Sequence, residues 1–215
     1  MDWANISNPE KQFHEKRKGT IGSSDMPIIM GVSPYKTPIE LWKIKTGQSE
    51  PEPQNYAQAR GTEMEPIARD WFNKRMLKTF KPMNFFHSSV PQFTASLDGW
   101  YKETREAVEI KFPGKEDHAI AKSGKIPPHY LVQIHWQYIV TGASMIYYLS
   151  YRSDNDAIII DAKKPTEEEK TVLIQAASEF IENVKSKTKP KPSMRDYVDA
   201  LTDDTKKLVD LYIEK

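Results

Sequence analysis

The chain has 215 residues, 38% of them hydrophobic and 28% charged, which is enough for one sizeable core and excludes a disordered chain. It has no cysteine, so disulfide scaffolds, thiolate metal sites and cysteine nucleophiles are excluded. The net charge of +1 gives no global reason to expect a nucleic-acid partner, so a polyanion would need a local patch. The sequence has neither a membrane-spanning apolar stretch nor a secretory leader, and we expect a cytoplasmic protein.

Capping signals and apolar spacing predict three helices in the first third of the chain. The segment 24–31 begins with serine and ends with glycine, which is typical of a short capped helix. Residues 37–40 form a capping box with proline at the first helical position, and Gly47 ends the helix that they open. Apolar residues spaced three and four apart predict a third helix over 62–75.

Strand signals dominate the middle of the chain. Alternating or β-branched runs predict four strands, at residues 92–97, 107–112, 145–151 and 157–160. Helical spacing predicts two further helices, at 130–141 before Gly142 and at 166–184. A group of strands with helices before, among and after it indicates an α/β (α+β) fold, a mixed central β-sheet flanked by helices.

The only compositional break lies near the C-terminus. Residues 186–193 alternate lysine and proline with small polar residues, which favours an exposed linker. The sequence therefore predicts a main domain over 1–185, a linker over 186–193 and a helical tail over 194–215.

Two carboxylates and a lysine are predicted to meet on a hairpin. In the strand at 107–112, Glu109 and Lys111 alternate with apolar residues and share one face. Asp98 ends the preceding strand, and the short connection returns Glu109 beside it. Two buried carboxylates repel each other unless a cation such as Mg²⁺ lies between them, and a lysine can neutralise charge on a phosphate. These groups suit metal-assisted phosphodiester hydrolysis; the alternative is a solvent-exposed Glu–Lys pair on a hairpin.

Five short motifs follow one another along the chain. They are Ile21-Gly22-Ser23-Ser24-Asp25, residues 31–42, Arg60-Gly61-Thr62-Glu63-Met64-Glu65-Pro66, Ser96-Leu97-Asp98-Gly99 and Glu109-Ile110-Lys111. In this order they resemble the YqaJ-type viral recombinase family, which is related to the phage lambda exonuclease and belongs to the PD-(D/E)XK nuclease superfamily. The resemblance covers roughly residues 13–150, and it implies a restriction-endonuclease-like core. The family's proline before the metal-binding Asp98 is Leu97 in this chain.

The resemblance assigns roles to five residues. Asp98 and Glu109 match the family's metal ligands, and the carbonyl of Ile110 matches its backbone ligand. Lys111 matches the catalytic lysine. Glu65 matches a helix-borne glutamate that completes the metal site.

Three of the site positions have competing interpretations. Without the resemblance, Glu65 fits a capping box that starts at Thr62. Gln133 and Gln137 share one helical face, and the resemblance assigns Gln133 to the catalytic site. His135 points elsewhere on an ideal helix, and it is either a water or phosphate contact or a structural histidine.

The N-terminal segment offers an anion site. Residues 11–18 are predominantly basic, and they lead into the predicted helix at Ser24. The resemblance assigns Arg17 and Ser24 to the 5′-phosphate of a DNA end. The alternative is an N-cap serine beside a solvated basic turn.

The resemblance as a whole implies a Mg²⁺-dependent 5′-to-3′ double-stranded DNA exonuclease, with Mn²⁺ as a substitute, in the cytoplasm of a bacterium or phage-infected host. It would bind double-stranded DNA ends and leave 3′ overhangs for a single-strand annealing protein. The resemblance also suggests a homo-oligomer, a trimer, with no membrane partner. The alternatives are an endonuclease or single-strand-specific nuclease on the same core, or a catalytically silent module that binds DNA ends.

Overall fold

The fold was obtained as a computed structural model, which describes residues 19–53, 55–192 and 196. Five strands form one mixed sheet in the order β1-β2-β3-β4-β5. The pairs β1–β2, β2–β3 and β4–β5 are antiparallel, and β3–β4 is parallel. This arrangement confirms the expected mixed sheet. The strands are β1 (Lys81–Phe86), β2 (Thr94–Tyr101), β3 (Glu106–Lys111), β4 (Met145–Ser153) and β5 (Asp156–Ala162).

Helices cover both faces of this sheet. Helices α4 and α5 carry the chain from β3 to its parallel neighbour β4, a connection that an antiparallel hairpin could not make. No helix among the described residues is long and apolar enough to cross a membrane. The helices that the structure describes are α1 (Met26–Ile29), α2 (Pro38–Lys45), α3 (Tyr56–Met76), α4 (Lys115–Lys122), α5 (Pro128–Thr141) and α6 (Glu167–Lys185).

Local signals set most helix ends. Thr37 caps α2 through the expected capping box, and a second capping box at Thr166 opens α6. Gly142 follows α5 with a φ of 59°, in the left-handed region that glycine tolerates. Two expectations were wrong. The N-cap of α1 is Asp25 and not the serine before it. Helix α3 begins at Tyr56, upstream of Thr62, so Thr62 is an interior helical residue and does not cap the helix.

Three apolar clusters hold the layers together. The first joins α1, α2, α5 and α6 and includes Trp136. The second lies between α5 and the sheet and includes Leu97 and Tyr148. The third lies between α3 and the opposite face and includes Phe72 and Val108. The sheet is thus the middle of three layers, and side chains from both outer layers reach it.

The chain after α6 is described only in part. Residues 186–192 contain neither helix nor strand. The predicted tail, 194–215, lies outside the described residues except for Asp196. The predicted domain boundaries therefore stay a prediction.

A bulge interrupts β2 at Asp98 and Gly99. Between two successive β1–β2 pairs, β2 advances by three residues, from Leu97 to Trp100, while β1 advances by two. The β2–β3 ladder also ends there, with Gly99 paired to Val108 as its last pair. A bulge re-aims side chains and separates strands. A gap therefore opens between β2 and β3, and Asp98 lies at its edge.

The close packing at Gly99 leads to a stability prediction. A β-carbon at Gly99 would lie 2.7 Å from Cγ1 of Val108 and 2.8 Å from Cβ of Phe80. Gly99→Ala should therefore lower the free energy of unfolding by about 1–3 kcal/mol. Gly61→Ala is the control, since Gly61 lies inside α3 and a β-carbon there meets only Phe112, at 3.8 Å. That change should raise stability by about 0.5–1 kcal/mol. Urea unfolding measures both, and equal shifts would contradict the prediction.

Candidate active site

Glu109 lies at the centre of a polar cluster on the side of the sheet that α5 covers. It is 1% exposed, and each of its carboxylate oxygens accepts a hydrogen bond from a glutamine of α5. Nε2 of Gln133 lies 2.6 Å from Oε1, and Nε2 of Gln137 lies 2.5 Å from Oε2. The two glutamines are four residues apart and project from the same face of the helix. Together they fix the carboxylate in one orientation.

Asp98 faces the gap between β2 and β3. Its Oδ2 accepts a hydrogen bond of 2.7 Å from the backbone N–H of Ile110, just beyond the end of the ladder. The N–H and C=O of a strand residue point to the same side, so the carbonyl of Ile110 also faces the gap. Burial, followed by the charge of Glu109, raises the pKa of Asp98 well above its usual value, although Lys111 acts in the opposite direction. The two carboxylates are therefore close enough to repel each other.

Lys111 lies two residues beyond Glu109 and shares its face of β3. Its Nζ lies 2.5 Å from Oε1 of Glu109 and 5.3 Å from the ring centroid of Tyr130, within the range of a cation–π contact. Burial works to lower the pKa of Lys111, but the charges of Glu109 and Asp98 outweigh it, and the pKa is raised overall. The ammonium therefore stays charged at neutral pH and acts by electrostatic attraction.

Glu65 approaches the gap from α3, on the other face of the sheet. Its Oε1 lies 2.5 Å from Nη1 of Arg69, one helical turn away. The same Arg69 nitrogen donates to the main-chain carbonyl of Asp98 at 2.7 Å. The charge of Glu65 contributes to the raised pKa of Asp98. Glu65 is thus next to the site, but its carboxylate is bound to Arg69.

The oxygen donors of the site suit a hard divalent cation. In the described part of the chain, no three or more Asp, Glu or His side chains are arranged to hold a metal ion. The gap instead offers two carboxylates, from Asp98 and Glu109, and the carbonyl of Ile110. These are the donors that Mg²⁺ and Mn²⁺ accept, with water as the remaining ligands. A cation between the carboxylates would also relieve the repulsion that raises the pKa of Asp98.

His135 lies away from this cluster. It is buried, at 7% exposed. It forms a hydrogen bond with the main chain of Lys163 and is close to the charge of Glu169, near the start of α6. The structure thus brings Gln133 to Glu109 and does not bring His135 there. Burial lowers the pKa of His135.

This lowered pKa predicts a pH dependence of stability. In the unfolded chain the pKa of His135 is near 6.5, whereas burial lowers this pKa in the folded protein. Below that pH the unfolded state binds the extra proton, so stability falls as the pH falls. His135→Gln should make the decline between about pH 7.5 and about pH 5 shallower. Urea unfolding at both pH values measures this, and unchanged slopes would contradict it.

The proposed phosphate site is only partly described. Arg17 lies outside the described residues, and Ser24 is exposed in the turn before α1. At the start of this four-residue helix, Oδ2 of Asp25 accepts from the backbone N–H of Gly22 and from Nζ of Lys45, both at 2.8 Å. The carboxylate of Asp25 is thus bound by Gly22 and Lys45 and makes no hydrogen bond to the N–H groups of the helix. The assignment of Arg17 and Ser24 to a 5′-phosphate stays a prediction.

Three further residues belong to the site by their contacts. Gln137 shares a helical face with Gln133, as the sequence predicts, and Arg69 lies four residues after Glu65, a spacing that could have identified it. Tyr130 contacts Lys111 across two elements. Nothing in the local sequence indicates that contact.

Sequence comparisons identify relatives of this chain. Residues 12–144 match the model of the YqaJ-like viral recombinase domain. The chain is also 31% identical over 153 residues to the protein YqaJ of Bacillus subtilis strain 168, which covers 70% of this chain and 46% of that protein. The chain therefore matches about half of the length of this relative.

Solved exonuclease structures share the fold. LHK-Exo, an alkaline exonuclease of Laribacter hongkongensis, was solved in complex with dAMP; it is 24% identical, with a TM-score of 0.71 over 83% of this chain and 93% of that one. A phage-related exonuclease of Haemophilus somnus 129PT is 12% identical, with a TM-score of 0.55 over 78% of this chain and 96% of that one. The five-stranded mixed sheet flanked by helices is thus similar to the alkaline exonuclease fold. On the extent of the domain match, the chain belongs to the YqaJ-like viral recombinase domain family.

Proposed function

We propose that this protein is a Mg²⁺-dependent 5′-to-3′ exonuclease of double-stranded DNA, a hydrolase of phosphodiester bonds. The observation that carries the proposal is the meeting of Asp98, Glu109 and Lys111 at the gap between β2 and β3. Family membership supports a role in recombination, and the alkaline exonuclease fold supports a nuclease. A module that only binds DNA ends would not require this set of charges.

Each residue at the gap between β2 and β3 has a separate role in the proposed hydrolysis. Asp98, Glu109 and the carbonyl of Ile110 would hold Mg²⁺, which would polarise the scissile phosphate and acidify a bound water. Gln133 fixes the direction of the Glu109 carboxylate. The Lys111 ammonium attracts the phosphate and offsets the negative charge that develops on it during attack.

The direction of digestion and the partners are also part of the proposal. Digestion of one strand from its 5′ end would leave a 3′ overhang, which a single-strand annealing protein would take up. We also propose that the enzyme is a homo-oligomer, a trimer, that retains the duplex between successive cuts. These points rest on the resemblance to the lambda exonuclease.

Linear and closed circular duplexes of one sequence test the proposal. With Mg²⁺, the linear duplex should be degraded and the circle should stay intact. A label on the 5′ end should be released before a label on the 3′ end of the same strand. Cutting of the circle would establish an endonuclease, and digestion of only single-stranded DNA would establish a single-strand-specific enzyme. Either result would overturn the proposed mode.

The donor set predicts the metal preference. Mg²⁺ and Mn²⁺ should support cleavage, while Ca²⁺, with longer bonds and looser coordination, should support DNA binding without turnover. Each of the three ions should raise the melting temperature, because it binds the folded site and relieves the repulsion between Asp98 and Glu109. Full cleavage in excess EDTA, or no thermal shift with any of the ions, would contradict the site.

A further inference from the structure

Tyr35 presents an exposed aromatic ring beside the candidate active site. It lies between α1 and α2 and is 67% exposed. Its ring meets that of His129 edge-on, with centroids 6.2 Å apart and planes at 89°. The ring of His129 lies 4.0 Å from that of Tyr130, which in turn contacts the ammonium of Lys111. Two ring contacts therefore connect Tyr35 to Tyr130, the residue in contact with Lys111.

The main chain on both sides of Tyr35 is held in place. Oγ of Ser33 accepts from the backbone N–H of Tyr35 at 3.1 Å and from that of Lys36 at 3.4 Å. Nζ of Lys36 forms an ion pair of 2.7 Å with Oε2 of Glu52. The capping box of Thr37 then fixes the start of α2. The turn thus keeps the ring exposed at a defined position.

A fixed, exposed ring at this position suits a nucleobase. Every base has a π face, so aromatic side chains beside a DNA path stack on bases without regard to sequence. Within a duplex both faces of a base are covered by its neighbours, but the last base pair of a DNA end has one free face. Nucleotides of one strand are spaced about 3.4 Å apart along the duplex axis, and the contacts through His129 and Tyr130 place Tyr35 within a few nucleotides of a phosphate at Lys111.

We propose that Tyr35 stacks on the terminal base of the strand that is being cut. The inference rests on the proposed nuclease function and adds a binding contact to it. Tyr35 would bind the DNA end, and the residues at the gap between β2 and β3 would carry out the hydrolysis. Tyr35 should therefore affect the KM for DNA ends more than kcat.

Fluorescence of a base analogue tests the stacking directly. A duplex carries 2-aminopurine at its 5′-terminal nucleotide, and binding is followed with Ca²⁺ in Lys111→Ala, in which the loss of the ammonium should slow cleavage. The fluorescence should change on binding to this variant and to its Tyr35→Phe double mutant, because both keep a ring. In the Tyr35→Ala double mutant the change should be lost and Kd should rise about 5- to 100-fold. A probe far inside the duplex should give no Tyr35-dependent change.

Steady-state kinetics separate this inference from the proposed function. With Mg²⁺ and linear duplex, Tyr35→Ala should raise KM about 5- to 100-fold, whereas Tyr35→Phe, which keeps the ring and loses only the hydroxyl that bonds to Tyr130, should raise it much less. Tyr56→Ala is the matched control, since Tyr56 is 83% exposed at the start of α3, and its KM should not change. Native KM in Tyr35→Ala, or an unchanged fluorescence response, would overturn the stacking while leaving the nuclease intact. A native protein that cuts no DNA would overturn the nuclease itself.

Discussion

Replacing Glu109 by glutamine should abolish cleavage of linear duplex DNA, with a loss of several powers of ten in rate. Glu109 is the buried carboxylate that the amides of Gln133 and Gln137 hold and that Lys111 neutralises. Glutamine keeps the shape but removes the charge, so a divalent cation loses a ligand and the gap loses its attraction for it. Single-turnover rates measure the loss of cleavage, and Mn²⁺ titration of the DNA-free protein measures the loss of metal affinity.

A graded series makes this result specific. Glu106→Gln makes the same change on the same strand, at the residue that forms an ion pair with Lys78, and should leave cleavage unchanged. Gln137→Ala removes one of the two amides that orient Glu109 and should cost about 10- to 100-fold in rate or metal affinity. Near-native cleavage by folded Glu109→Gln would remove Glu109 from the site. Equal losses in Glu106→Gln and Glu109→Gln would show that only the charge of β3 matters.

Local patterns predicted the part of the site that lies on one hairpin. The alternation around Glu109 and Lys111 predicted a shared face, and the structure places both there. The short connection predicted that Asp98 returns beside them, and Asp98 binds the N–H of Ile110. Such predictions succeed because two-residue periodicity and hairpin closure depend on neighbouring residues alone.

Non-local contacts were beyond the reach of these patterns. Strand β1 carries Pro82 and exposed side chains on an edge, so it shows neither alternation nor a strand-typical composition. The bulge at Asp98 depends on the register against β1, which no local rule fixes. Arg69 reaches Asp98 across 29 positions of sequence, and Tyr130 reaches Lys111 from another helix. Only the packing of both outer layers on the sheet brings these groups together.

The raised pKa of Asp98 supports the proposed cation site. Burial and the charge of Glu109 raise the pKa of Asp98, so its ionised form is costly while no cation lies in the gap. Lys111 compensates part of this negative charge with a single ammonium. The same ammonium lies 2.5 Å from Glu109 and can also attract a phosphate. Its removal therefore has two separable consequences.

Lys111→Ala should slow cleavage by several powers of ten while DNA ends still bind. The raised pKa keeps the ammonium charged, so its loss removes electrostatic stabilisation of the phosphate during attack. The carboxylates that would hold the metal remain, and Mn²⁺ affinity should be retained or increased because a competing positive charge has left Glu109. Single-turnover rates, a DNA-binding titration with Ca²⁺ and a Mn²⁺ titration give the three quantities.

Two further variants decide how Lys111 acts. Lys111→Met keeps the aliphatic stem near the ring of Tyr130 and removes only the charge, so it should be as slow as Lys111→Ala. Lys125→Met deletes the same charge from an exposed position and should reduce only the salt-dependent attraction for DNA. Removing Lys111 leaves Glu109 buried with less compensation, so unfolding with and without Mn²⁺ should show a loss of stability that the metal restores. If Lys111→Met cleaved at the native rate, the ammonium would have no part in catalysis, and its ion pair with Glu109 would be structural.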